Sequence, residues 1–461
     1  MNEPKKYNLR KVWKRALTSS LGFFTLGYCL NVFNSSQTCV SSILHWGENE
    51  ELLIALMSAI VPFGALIGSL FTGYVSKFFG KRKILIYSSL ITILGSVVGY
   101  FPNTIAFAFG RFTLGVASGS YSVTCSQYVS EFTPSDIYSK MGVVGPLNAM
   151  FGSLSANLAC QGLPINGCNE NNQYLIFLIF TLPAFPALLQ LYMLIKVFKK
   201  ESPIWLVRSQ NFEMAFHSYE SIYNTEYAES QVNKAQTLLE QGSAVSNTEA
   251  DSLCDLILCK KGTTKGMRIG TMVHTFQQLS GINCIIQYST LLYQDIGEGL
   301  FIARGLTTLA TVARILALVV LMPIFGRLNT KLLMTFGHAT MGINLIIIGV
   351  FYSYEEFKIM SLANIYLFLM AFGCTIGPLC WSYTSMAMPD KGMALGTGVN
   401  WMVFTTTVLL FPFMIDWLGL EPCFLLYGGV NLFGAVYFYC DMIDIKGLSK
   451  PEVQELFKKY R

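Results

Sequence analysis

Apolar segments long enough to cross a lipid bilayer recur along almost the whole chain. A helix needs about 20 apolar residues to span the hydrocarbon core, and the 461-residue sequence has about twelve such segments. Only 13% of its residues are charged, against roughly a quarter in soluble domains. The sequence therefore predicts an all-α membrane protein. The predicted spans are 17–34, 52–75, 83–101, 104–127, 141–162, 173–196, 266–294, 299–325, 331–352, 359–385, 393–416 and 421–441.

A polar stretch, residues 201–265, divides these spans into two sets of six. Its sequence is compatible with helix, so we predict a cytoplasmic helical linker there. Two six-helix pseudo-repeats joined in this way form the major facilitator fold, in which substrate binds between the halves near the middle of the bilayer. The predicted parts are an N-terminal tail (1–16), a first half (17–200), the linker (201–265), a second half (266–441) and a C-terminal tail (442–461).

A short basic turn occurs at equivalent places in the two halves. Gly80-Lys81-Arg82 follows the second span, and Gly326-Arg327 follows the eighth. Glycine permits a tight turn, and the neighbouring cations hold the loop on the cytoplasmic side. The matching pair indicates an internal repeat.

Basic residues also indicate how the chain crosses the membrane. Lys and Arg are retained on the cytoplasmic side, and the predicted outer segments 35–51 and 163–172 contain neither. Both termini are therefore predicted to be cytoplasmic. The formal net charge of +5 follows from this topology, so we predict no nucleic-acid partner.

The cysteines and histidines do not form a catalytic or metal-binding pattern. Several of the twelve cysteines fall inside spans, where cysteine usually packs as a small apolar residue; they include Cys29, Cys125, Cys284, Cys374, Cys380 and Cys440. Cys39, Cys160 and Cys168 lie at or near the outer face and can pair. The four histidines are dispersed without carboxylate partners, so we predict no enzyme activity, no metal and no cofactor.

A cluster of amide side chains lies within the seventh apolar span. Gln277, Gln278, Asn283 and Gln287 occur there, although an amide without a hydrogen-bonding partner costs roughly 2–7 kcal/mol in an apolar medium. On one continuous helix, positions 278 and 283 would lie on either side of the face that carries Gln277. Amides both donate and accept hydrogen bonds, as a sugar hydroxyl requires. The cluster favours a site for a neutral polyol, and the alternative is that the amides only join helices inside the bundle.

The segment QQLSGINCIIQYST (277–290) resembles the seventh-helix signature of the sugar porter family of the major facilitator superfamily, which includes the facilitative glucose transporters. Other segments resemble family motifs in the same order along almost the whole chain, and the chain is identified as a divergent member of this family. The segments are GYCLNVFNSSQ (27–37), GRFTLGVASG (110–119), YVSEFTP (128–134), ESPIWL (201–206), GPLCW (377–381), NW (400–401) and IDIKGLSKPEV (443–453).

The resemblance implies substrate-binding roles for individual side chains. Gln277, Gln278 and Asn283 would bind sugar hydroxyls. Trp381 would stack beneath the sugar ring. The residues implied to complete or support the cavity are Asn400, Trp401 and, from the first half, Asn148.

The resemblance also implies gating residues. Tyr28 and Tyr288 match aromatic positions at or near the gates. Other positions of the family's cytoplasmic charge network, which is closed in the outward-facing state, lack their usual charge here. We therefore expect the conformational balance to shift inward, or other contacts to compensate. The members of that network present in this chain are Glu131, Lys81, Arg82 and Arg327.

Two departures from the family pattern bear on mechanism. Cys29 stands where proton-coupled members usually carry an aspartate, and a carboxylate is the simplest proton carrier in a membrane. Arg314 is a cation inside the eighth span. Cations at such places usually face a cavity or a partner, so Arg314 either widens specificity toward anionic substrates or is held by a carbonyl group or a nearby interface.

The sequence therefore predicts transport of a glucose-like hexose by facilitated diffusion through alternating access. The alternatives are a proton-coupled sugar symporter and a non-transporting sugar sensor on the same fold. The expected partners are a small sugar and the lipid bilayer. The oligomeric state is left open, since a monomer suffices for transport, and the resemblance implies the plasma membrane as the location.

Overall fold

The computed structural model describes residues 7–76, 78–134, 137, 141–164, 168, 171, 173–240, 264–295, 299–321, 328–352, 354–388, 390–446, 448 and 450–459. Over these residues the chain forms twenty α-helices, with short 3-10 and π segments. The β structure of this part of the chain is one isolated antiparallel bridge between Tyr7 and Tyr223. The all-α fold predicted from the sequence is confirmed.

The first half contains eight α-helices, and all but the short α2 belong to its six spans. The helices are α1 (Leu9–Asn31), α2 (Gln37–Ile43), α3 (Glu50–Val75), α4 (Lys81–Val98), α5 (Thr104–Phe132), α6 (Val144–Gln161), α7 (Gln173–Leu178) and α8 (Ala184–Tyr192). The sixth span runs through α7, a 3-10 turn (Ile179–Thr181), α8 and a π segment (Met193–Val197). It is interrupted because Pro183 and Pro186 cannot donate to a continuous helical ladder.

Three helices form the described part of the linker, namely α9 (Pro203–Arg208), α10 (Phe212–Glu220) and α11 (Thr225–Glu240). Residues 241–263 of the predicted linker lie outside the described residues. The linker contacts the ends of α1 and α5, because Asn8 N donates to Ile222 O at 2.8 Å and the Tyr223 hydroxyl donates to Phe132 O at 3.2 Å. We call this side of the bundle the linker side and the opposite side the far side.

The second half also makes six spans, two of which are each built from two helices. The helices are α12 (Thr264–Leu279), α13 (Ile282–Asp295), α14 (Leu300–Leu321), α15 (Thr330–Phe351), α16 (Lys358–Cys374), α17 (Ile376–Ala387), α18 (Asp390–Leu418), α19 (Leu420–Asp441) and α20 (Lys450–Lys459). The final helix, α20, follows the last span and packs against α12 and α17.

Seven of the described helical segments are long and apolar enough to cross a membrane by length and composition alone. The seventh span is not among them, because it carries the amide cluster and is broken into α12 and α13. The first span also starts earlier than expected. Its helix begins at Leu9, since the Asn8 side chain caps it by accepting from Lys11 N at 3.2 Å, a preferred role of asparagine at helix starts.

Small residues bring α1 and α6 into direct backbone contact. A Cβ atom added to Gly27 would collide with the carbonyl oxygen of Ala149, and one added to Gly152 would collide with that of Phe24. Close approach of this kind is typical of helix pairs in membranes. Because α1 and α6 both border the cavity described below, their contact holds the first-half wall of that cavity in place.

Candidate functional site

The two halves enclose a cavity of about 130 Å³. The first half lines it with α1 and α6, and the second half lines it with α12, α13, α14, α16, α17 and α18. Most of its polar side chains belong to the second half. They are Gln277, Gln278, Asn283, Gln287, Arg314 and Asn400, joined by Asn31 and Ser153 from the first half.

The seventh span consists of two helices, contrary to the single helix assumed from the sequence. Between them lies Gly281 at a φ of +84°, a conformation that glycine adopts without steric cost. The carbonyl of Ser280, freed by the break, accepts from Asn431 Nδ2 at 3.0 Å, as broken helices in membranes require. The arrangement of these amides around the face of one continuous helix, expected from the sequence, is therefore not found. The amides of α12 and those of α13 both line the cavity because the chain is broken between them.

Asn400 of α18 joins these amides into one network. Its Nδ2 donates to Gln277 Oε1 at 2.7 Å and to His274 O at 3.1 Å, and its Oδ1 accepts from Gln278 Nε2 at 2.7 Å. Gln278 Oε1 in turn accepts from Asn283 Nδ2. An amide has two donor hydrogens and an oxygen with two lone pairs. Each side chain of the network therefore keeps hydrogen-bonding capacity for a ligand.

Trp381, the indole expected to stack beneath a sugar ring, borders the cavity on α17. The tenth span is broken at Thr375, so Trp381 lies on a separate helix, α17, which begins at Ile376. The indole ring lies edge-on to Phe23 and to His274, with ring centroids 6.0 and 5.4 Å away. It therefore contacts both halves, with Phe23 contributed by α1.

Trp401, next to Asn400 on α18, also borders the cavity. Its ring stacks on Phe404 with centroids 5.6 Å apart. Its indole N–H donates to Ser122 Oγ of the first half at 3.1 Å. Trp401 thus completes the wall and holds α18 against α5.

Asn148, the expected first-half contact, is not in the cavity wall. Its position on α6 turns the Asn148 side chain away from the cavity, which the neighbouring Ala149 lines. Asn148 Nδ2 donates instead to Ser20 Oγ at 2.6 Å. The first-half polar groups at the cavity are Asn31 and Ser153, and Asn31 Nδ2 donates to Ser153 Oγ at 2.8 Å. Sequence reasoning missed Asn31, although an asparagine within the apolar 17–34 span was a signal for it.

Arg314 of α14 is the charged residue in the wall. Its side chain is only 8% exposed, and its Nε has no hydrogen-bonding partner. Its Cβ and Cγ lie beside Gly373, which is also close to Met150 of the first half. Among the described residues, no aspartate or glutamate lines the cavity. The described wall therefore holds a positive charge that no carboxylate balances.

His274 lies behind the amide network, on α12. It is fully buried, its Nδ1 lies 3.2 Å from Cys380 Sγ, and its Nε2 has no hydrogen-bonding partner. In the described part of the chain, no three or more His, Cys, Asp or Glu side chains are placed to hold a metal ion. His274 is therefore a titratable side chain beside Trp381 that belongs to no metal-binding cluster of the described residues.

On the far side, hydrogen bonds between the halves close the cavity. Asn34 Nδ2 donates to Ser289 Oγ at 2.8 Å. The hydroxyls of Ser35 and Thr290 are paired at 3.1 Å. Each bond joins a first-half residue to α13, so opening of the far side requires these bonds to break.

Arg304, one of the cations of α14, strengthens this far-side closure. Its Nε donates to Ser35 O at 3.1 Å and its Nη1 donates to Leu163 O at 3.0 Å, both in the first half. Deeper in the bundle, Asn157 Nδ2 donates to Thr311 Oγ1 at 3.0 Å. Sequence reasoning missed Arg304, although an arginine inside the predicted 299–325 span was the signal available.

The two tyrosines expected at the gates are both buried but differ in their contacts. The Tyr28 hydroxyl donates to Ile179 O at 2.8 Å, within the first half. The Tyr288 hydroxyl donates to Val408 O at 3.2 Å, within the second half. Each of these two bonds lies within one half, and the gating roles of both tyrosines remain predictions.

Cys39 and Cys168 form a disulfide on the far side, joining α2 to the segment before α7. This is one of the pairings left open by the sequence, and Cys160, the third candidate, is buried and free. Arg304 Nη2 lies 3.9 Å from Cys39 Sγ. The disulfide therefore lies beside the contacts that close the far side.

On the linker side, buried charges join α4 and α5 to the linker. Lys81 pairs with Glu131, which also accepts a hydrogen bond from Ser202 Oγ. Glu201 accepts from Arg82 N at 2.8 Å, and burial raises the pKa of its carboxyl above the ordinary value. The structure thus brings three of the expected network residues together.

Arg327, the fourth member of the expected charge network, lies outside the described residues. In the described part of the second half, the linker side carries a different ion pair, in which Arg268 Nη2 donates to Asp441 Oδ1 at 2.7 Å. The Arg268 side chain is exposed, unlike those of Lys81 and Glu131. The two halves therefore differ in how deeply their charges are buried.

Cys29, which stands in place of the proton-carrying aspartate, lies near Arg111. Arg111 is fully buried in α5, its Nε donates to Met57 O at 3.0 Å, and its guanidinium carbon lies 4.6 Å from the centre of the Phe33 ring. Cys29 is the titratable side chain that interacts with it electrostatically. Within the described chain, Arg111 has no carboxylate partner.

Sequence comparison places the chain among transporters. A family model described as "Sugar (and other) transporter" matches residues 16–457. The Major myo-inositol transporter IolT of Bacillus subtilis (strain 168) is 25% identical over 462 residues, which is 96% of this chain and 94% of that relative. Plastidic glucose transporter 4 of Arabidopsis thaliana is 24% identical over 447 residues, which is 94% of this chain and 78% of that relative.

Structure comparison gives the same fold. The chain superposes on the MFS (major facilitator superfamily) proton:xylose symporter XylE bound to 6-bromo-6-deoxy-D-glucose with a TM-score of 0.87. The match covers 98% of this chain and 100% of that chain at 21% identity. The twelve-span architecture in two halves, predicted from the sequence, is thereby confirmed.

Proposed function

Because the chain belongs to the family of sugar and other transporters, we propose that it carries a hexose such as glucose across the bilayer by facilitated diffusion. The protein is a membrane transporter of the major facilitator superfamily and not an enzyme. The single observation that carries the hexose proposal is the amide network around Asn400 in the cavity wall.

The amide network suits a ligand that both donates and accepts hydrogen bonds. Each sugar hydroxyl does both. Gln278 and Asn283 offer both kinds of group, whereas Gln277, whose Nε2 donates to the carbonyls of Ile376 and Gly377, offers an acceptor. The cavity opens onto the indole of Trp381, which can cover the apolar C–H face of a pyranose. Each hydrogen bond is worth about 0.5–1.5 kcal/mol net. Several such bonds hold a sugar while leaving it free to dissociate, as transport requires.

The arrangement of contacts between the halves supports alternating access. On the far side, Asn34, Ser35 and Arg304 close the cavity. A second, smaller cavity of about 20 Å³ shares Phe23 and Trp381 with the main one and lies toward the linker side. We infer that sugar leaves toward the linker, and that the cycle exchanges the far-side hydrogen bonds for contacts on the linker side.

The surroundings of Cys29 support transport without proton coupling. A buried arginine next to a carboxylate can exchange its partner when the carboxylate is protonated, whereas Cys29 offers no such carboxylate to Arg111. Arg111 donates instead to the Met57 carbonyl, which does not titrate. We therefore propose that the sugar gradient alone drives net flow.

A proton-coupled symporter is the second candidate, and His274 favours it. This imidazole is buried against Trp381, and its Nε2 lacks a hydrogen-bonding partner. Histidine is the side chain whose ordinary charge change falls near neutral pH. A His274→Gln variant that loses gradient-driven accumulation but keeps exchange of sugar would assign the proton to this residue.

The test of the proposed function is uptake of labelled D-glucose and L-glucose by the purified protein in liposomes, with and without an imposed proton gradient. A Gln277→Ala, Gln278→Ala double variant removes two amides of the network. Asn344→Ala is its matched control, because this buried amide donates only within its own helix, to Thr340 O at 2.7 Å. We expect stereoselective uptake that ignores the gradient and survives in the control but not in the double variant.

Other outcomes of this experiment separate the alternatives. Accumulation of D-glucose driven by the gradient would overturn the uniport proposal and direct attention to His274. Sugar binding without transport would support a sensor on the same fold. Equal uptake by the double variant and the wild type would show that the amide network does not bind the sugar.

The basic residues and the linker also support a sidedness for the transporter. We propose that the linker side, including both termini, faces the cytoplasm, because Lys81 and Arg82 lie on it and basic loops are retained inside. We further propose the plasma membrane as the location and a monomer as a sufficient transporting unit. Protease accessibility of an epitope added after residue 461 in sealed cells would test the sidedness.

A further inference from the structure

Arg314 differs from the other buried arginines of the bundle. Arg304 donates to two first-half carbonyl groups, at 3.1 and 3.0 Å, and Arg111 donates to the Met57 carbonyl at 3.0 Å. Those bonds give both residues a structural role. Arg314 is over nine-tenths buried, and in the described part of the chain no hydrogen bond or ion pair holds its guanidinium. A role in holding helices together therefore accounts for the first two arginines but not for Arg314.

The position of Arg314 places its charge beside the amide network. Arg314 lines the same cavity as Gln277, Asn283 and Asn400. The part of the wall that the structure describes contains no acid that could neutralise it. A buried cation is stable only with a partner or with water, so a ligand carrying one negative charge would complete the site.

We propose that the transporter's preferred substrate is a sugar acid whose carboxylate binds Arg314 while its hydroxyls bind the amides. A hexuronate, a hexose with a carboxylate at carbon 6, has this combination of groups. The inference rests on the proposed function and narrows its substrate class. Guanidinium and carboxylate pair in two parallel hydrogen bonds, and Arg314 lies in the cavity wall without a carboxylate partner among the described residues.

The single cation favours a carboxylate over a phosphate ester. A phosphomonoester carries close to two negative charges near neutral pH, and one guanidinium would leave part of that charge unpaired in a cavity with apolar walls. A hexuronate carries one charge, which one arginine balances. The loaded cavity would then be neutral in charge, while each transport event would move one negative charge across the membrane.

The test is binding of three ligands to the purified full-length protein: D-glucuronate, its neutral amide D-glucuronamide, and D-glucose. The uronate and its amide have the same shape and hydroxyls, so the ratio of their affinities isolates the charge. We expect wild type to bind the uronate at least about tenfold more tightly than the amide, since a charge-assisted hydrogen bond is roughly twice as strong as a neutral one. D-Glucose 6-phosphate, as a fourth ligand, should bind more weakly than the uronate.

Variants of Arg314 then assign the effect. Arg314→Gln should bring the uronate-to-amide ratio to about one, because no cation remains beside the amides. Arg314→Lys should keep a ratio above one. Arg304→Gln is the matched control, since it removes a buried arginine from the same helix but outside the cavity wall, and it should leave the ratio as in wild type.

The outcomes separate this inference from the proposed function. If D-glucose binds but wild type does not distinguish the uronate from its amide, the sugar-acid inference is overturned and the hexose proposal stands. If none of the sugars binds, the proposed function itself fails. If glucose 6-phosphate binds more tightly than the uronate, the preferred anion is a phosphate, and the carboxylate assignment is wrong.

In liposomes, the same ligands give a second readout that needs no variant. Uptake of D-glucuronate should rise when a potassium diffusion potential makes the interior positive, because each molecule carries one negative charge. Uptake of D-glucose in the same vesicles should not respond to the potential. A response of neither sugar would contradict net transport of the anion.

Discussion

The two halves share one architecture but place their buried polar groups differently. In the first half, Gln190 donates to the carbonyl oxygens of Thr18 and Ser19 at 3.1 and 3.0 Å and accepts from Ser89 at 3.0 Å, all within that half. In the second half, the amides around Asn400 border the cavity. The first half therefore acts as a support, and the second half carries most of the groups that can bind a ligand.

The two halves also differ in whether the helices beside the cavity are continuous. The first-half helices that line the cavity, α1 and α6, are unbroken. Two second-half spans are broken at the cavity, at Gly281 and at Thr375. A break turns side chains of two helices toward one point, but it leaves backbone groups that need partners. The second half supplies polar side chains that hydrogen-bond to these backbone groups, as Asn431 does to the carbonyl of Ser280.

The largest expected effect of a single substitution is on the stability of the first half, which acts as the support. Glu131→Leu removes the carboxylate from buried Lys81, and breaking a buried ion pair costs about 3–5 kcal/mol. On the second half, Arg268→Ala breaks an exposed pair, which should cost at most about 1 kcal/mol. Denaturant titration in detergent gives the free energy of unfolding for both variants.

A second substitution checks that the loss comes from separating the Lys81 charge from Glu131. Lys81→Met added to Glu131→Leu replaces both charges with apolar groups of similar length, so it should restore most of the lost stability. A double variant as unstable as the single one would show instead that the site needs the pair itself.

The fold could be predicted from the sequence because the bilayer imposes it. A run of about 20 apolar residues has few alternatives to a spanning helix, and a polar stretch at 201–265 marks the middle of the chain. The breaks were not predictable by the same rule. Gly281 lies within the predicted span 266–294, whose length and composition do not show where the chain turns, and the break depends on a partner distant in sequence, Asn431, for the Ser280 carbonyl.

The candidate site was predictable only where family motifs are local. Gln277, Gln278 and Asn283 were expected at the cavity because they lie within one family motif, and Asn400 because it belongs to another. All four line the cavity, and their roles in binding sugar remain predictions. Asn148 was misplaced, since neighbouring positions on a helix point about 100° apart and the sequence does not show which one faces the cavity. Far-side contacts such as that of Arg304 join segments distant in sequence, which spacing along the chain does not reveal.

The next largest effect concerns binding. Asn400→Leu removes the residue that links Gln277 to Gln278, so at least two hydrogen bonds of about 1–1.5 kcal/mol each are lost and buried partners are left unsatisfied. We expect kcat/KM for D-glucose uptake to fall about a hundredfold. Asn148→Leu, which changes a first-half amide outside the cavity wall, should lower it less than about threefold.

Comparable losses in the Asn400 and Asn148 variants would remove the functional distinction between the halves. A loss confined to Asn148→Leu would move the binding amide to the first half. Initial rates of liposome uptake over a range of sugar concentrations separate kcat from KM in each variant.

A smaller effect is expected where the halves meet on the far side. Arg304→Gln loses charge-assisted bonds to Ser35 and Leu163, which should shift the conformational balance toward far-side opening about tenfold. A cysteine placed at Ser153 in the cavity wall reports the opening through its labelling by a membrane-impermeant maleimide. The exposed Cys440 is replaced by serine in all samples.

The control for this labelling is Thr308→Ala on the same helix, which removes a weaker contact between the halves, the 3.3 Å bond from Gln161. Its labelling rate should rise less than that of Arg304→Gln. Labelling that is unchanged in both variants would show that these bonds do not hold the far side closed.

The smallest expected effect is the pH dependence of the support. Burial raises the pKa of Glu201 above the ordinary value of 4.5, and the neighbouring Glu131 adds to the shift. Because the folded state binds the proton more tightly than the unfolded state, this carboxyl favours folding below about pH 4.5, and the contribution is lost as pH rises through the raised pKa.

Glu201→Gln keeps an oxygen for the N–H groups of Arg82 and Ser202 but does not ionise. The midpoint of thermal unfolding in detergent should therefore be equal for variant and wild type at low pH and about 1–2 °C higher for the variant near pH 8. A variant that is less stable at pH 8 would mean that the charge of Glu201 is needed by Arg82, and that the support in the first half depends on an ion pair at this point as well as at Lys81.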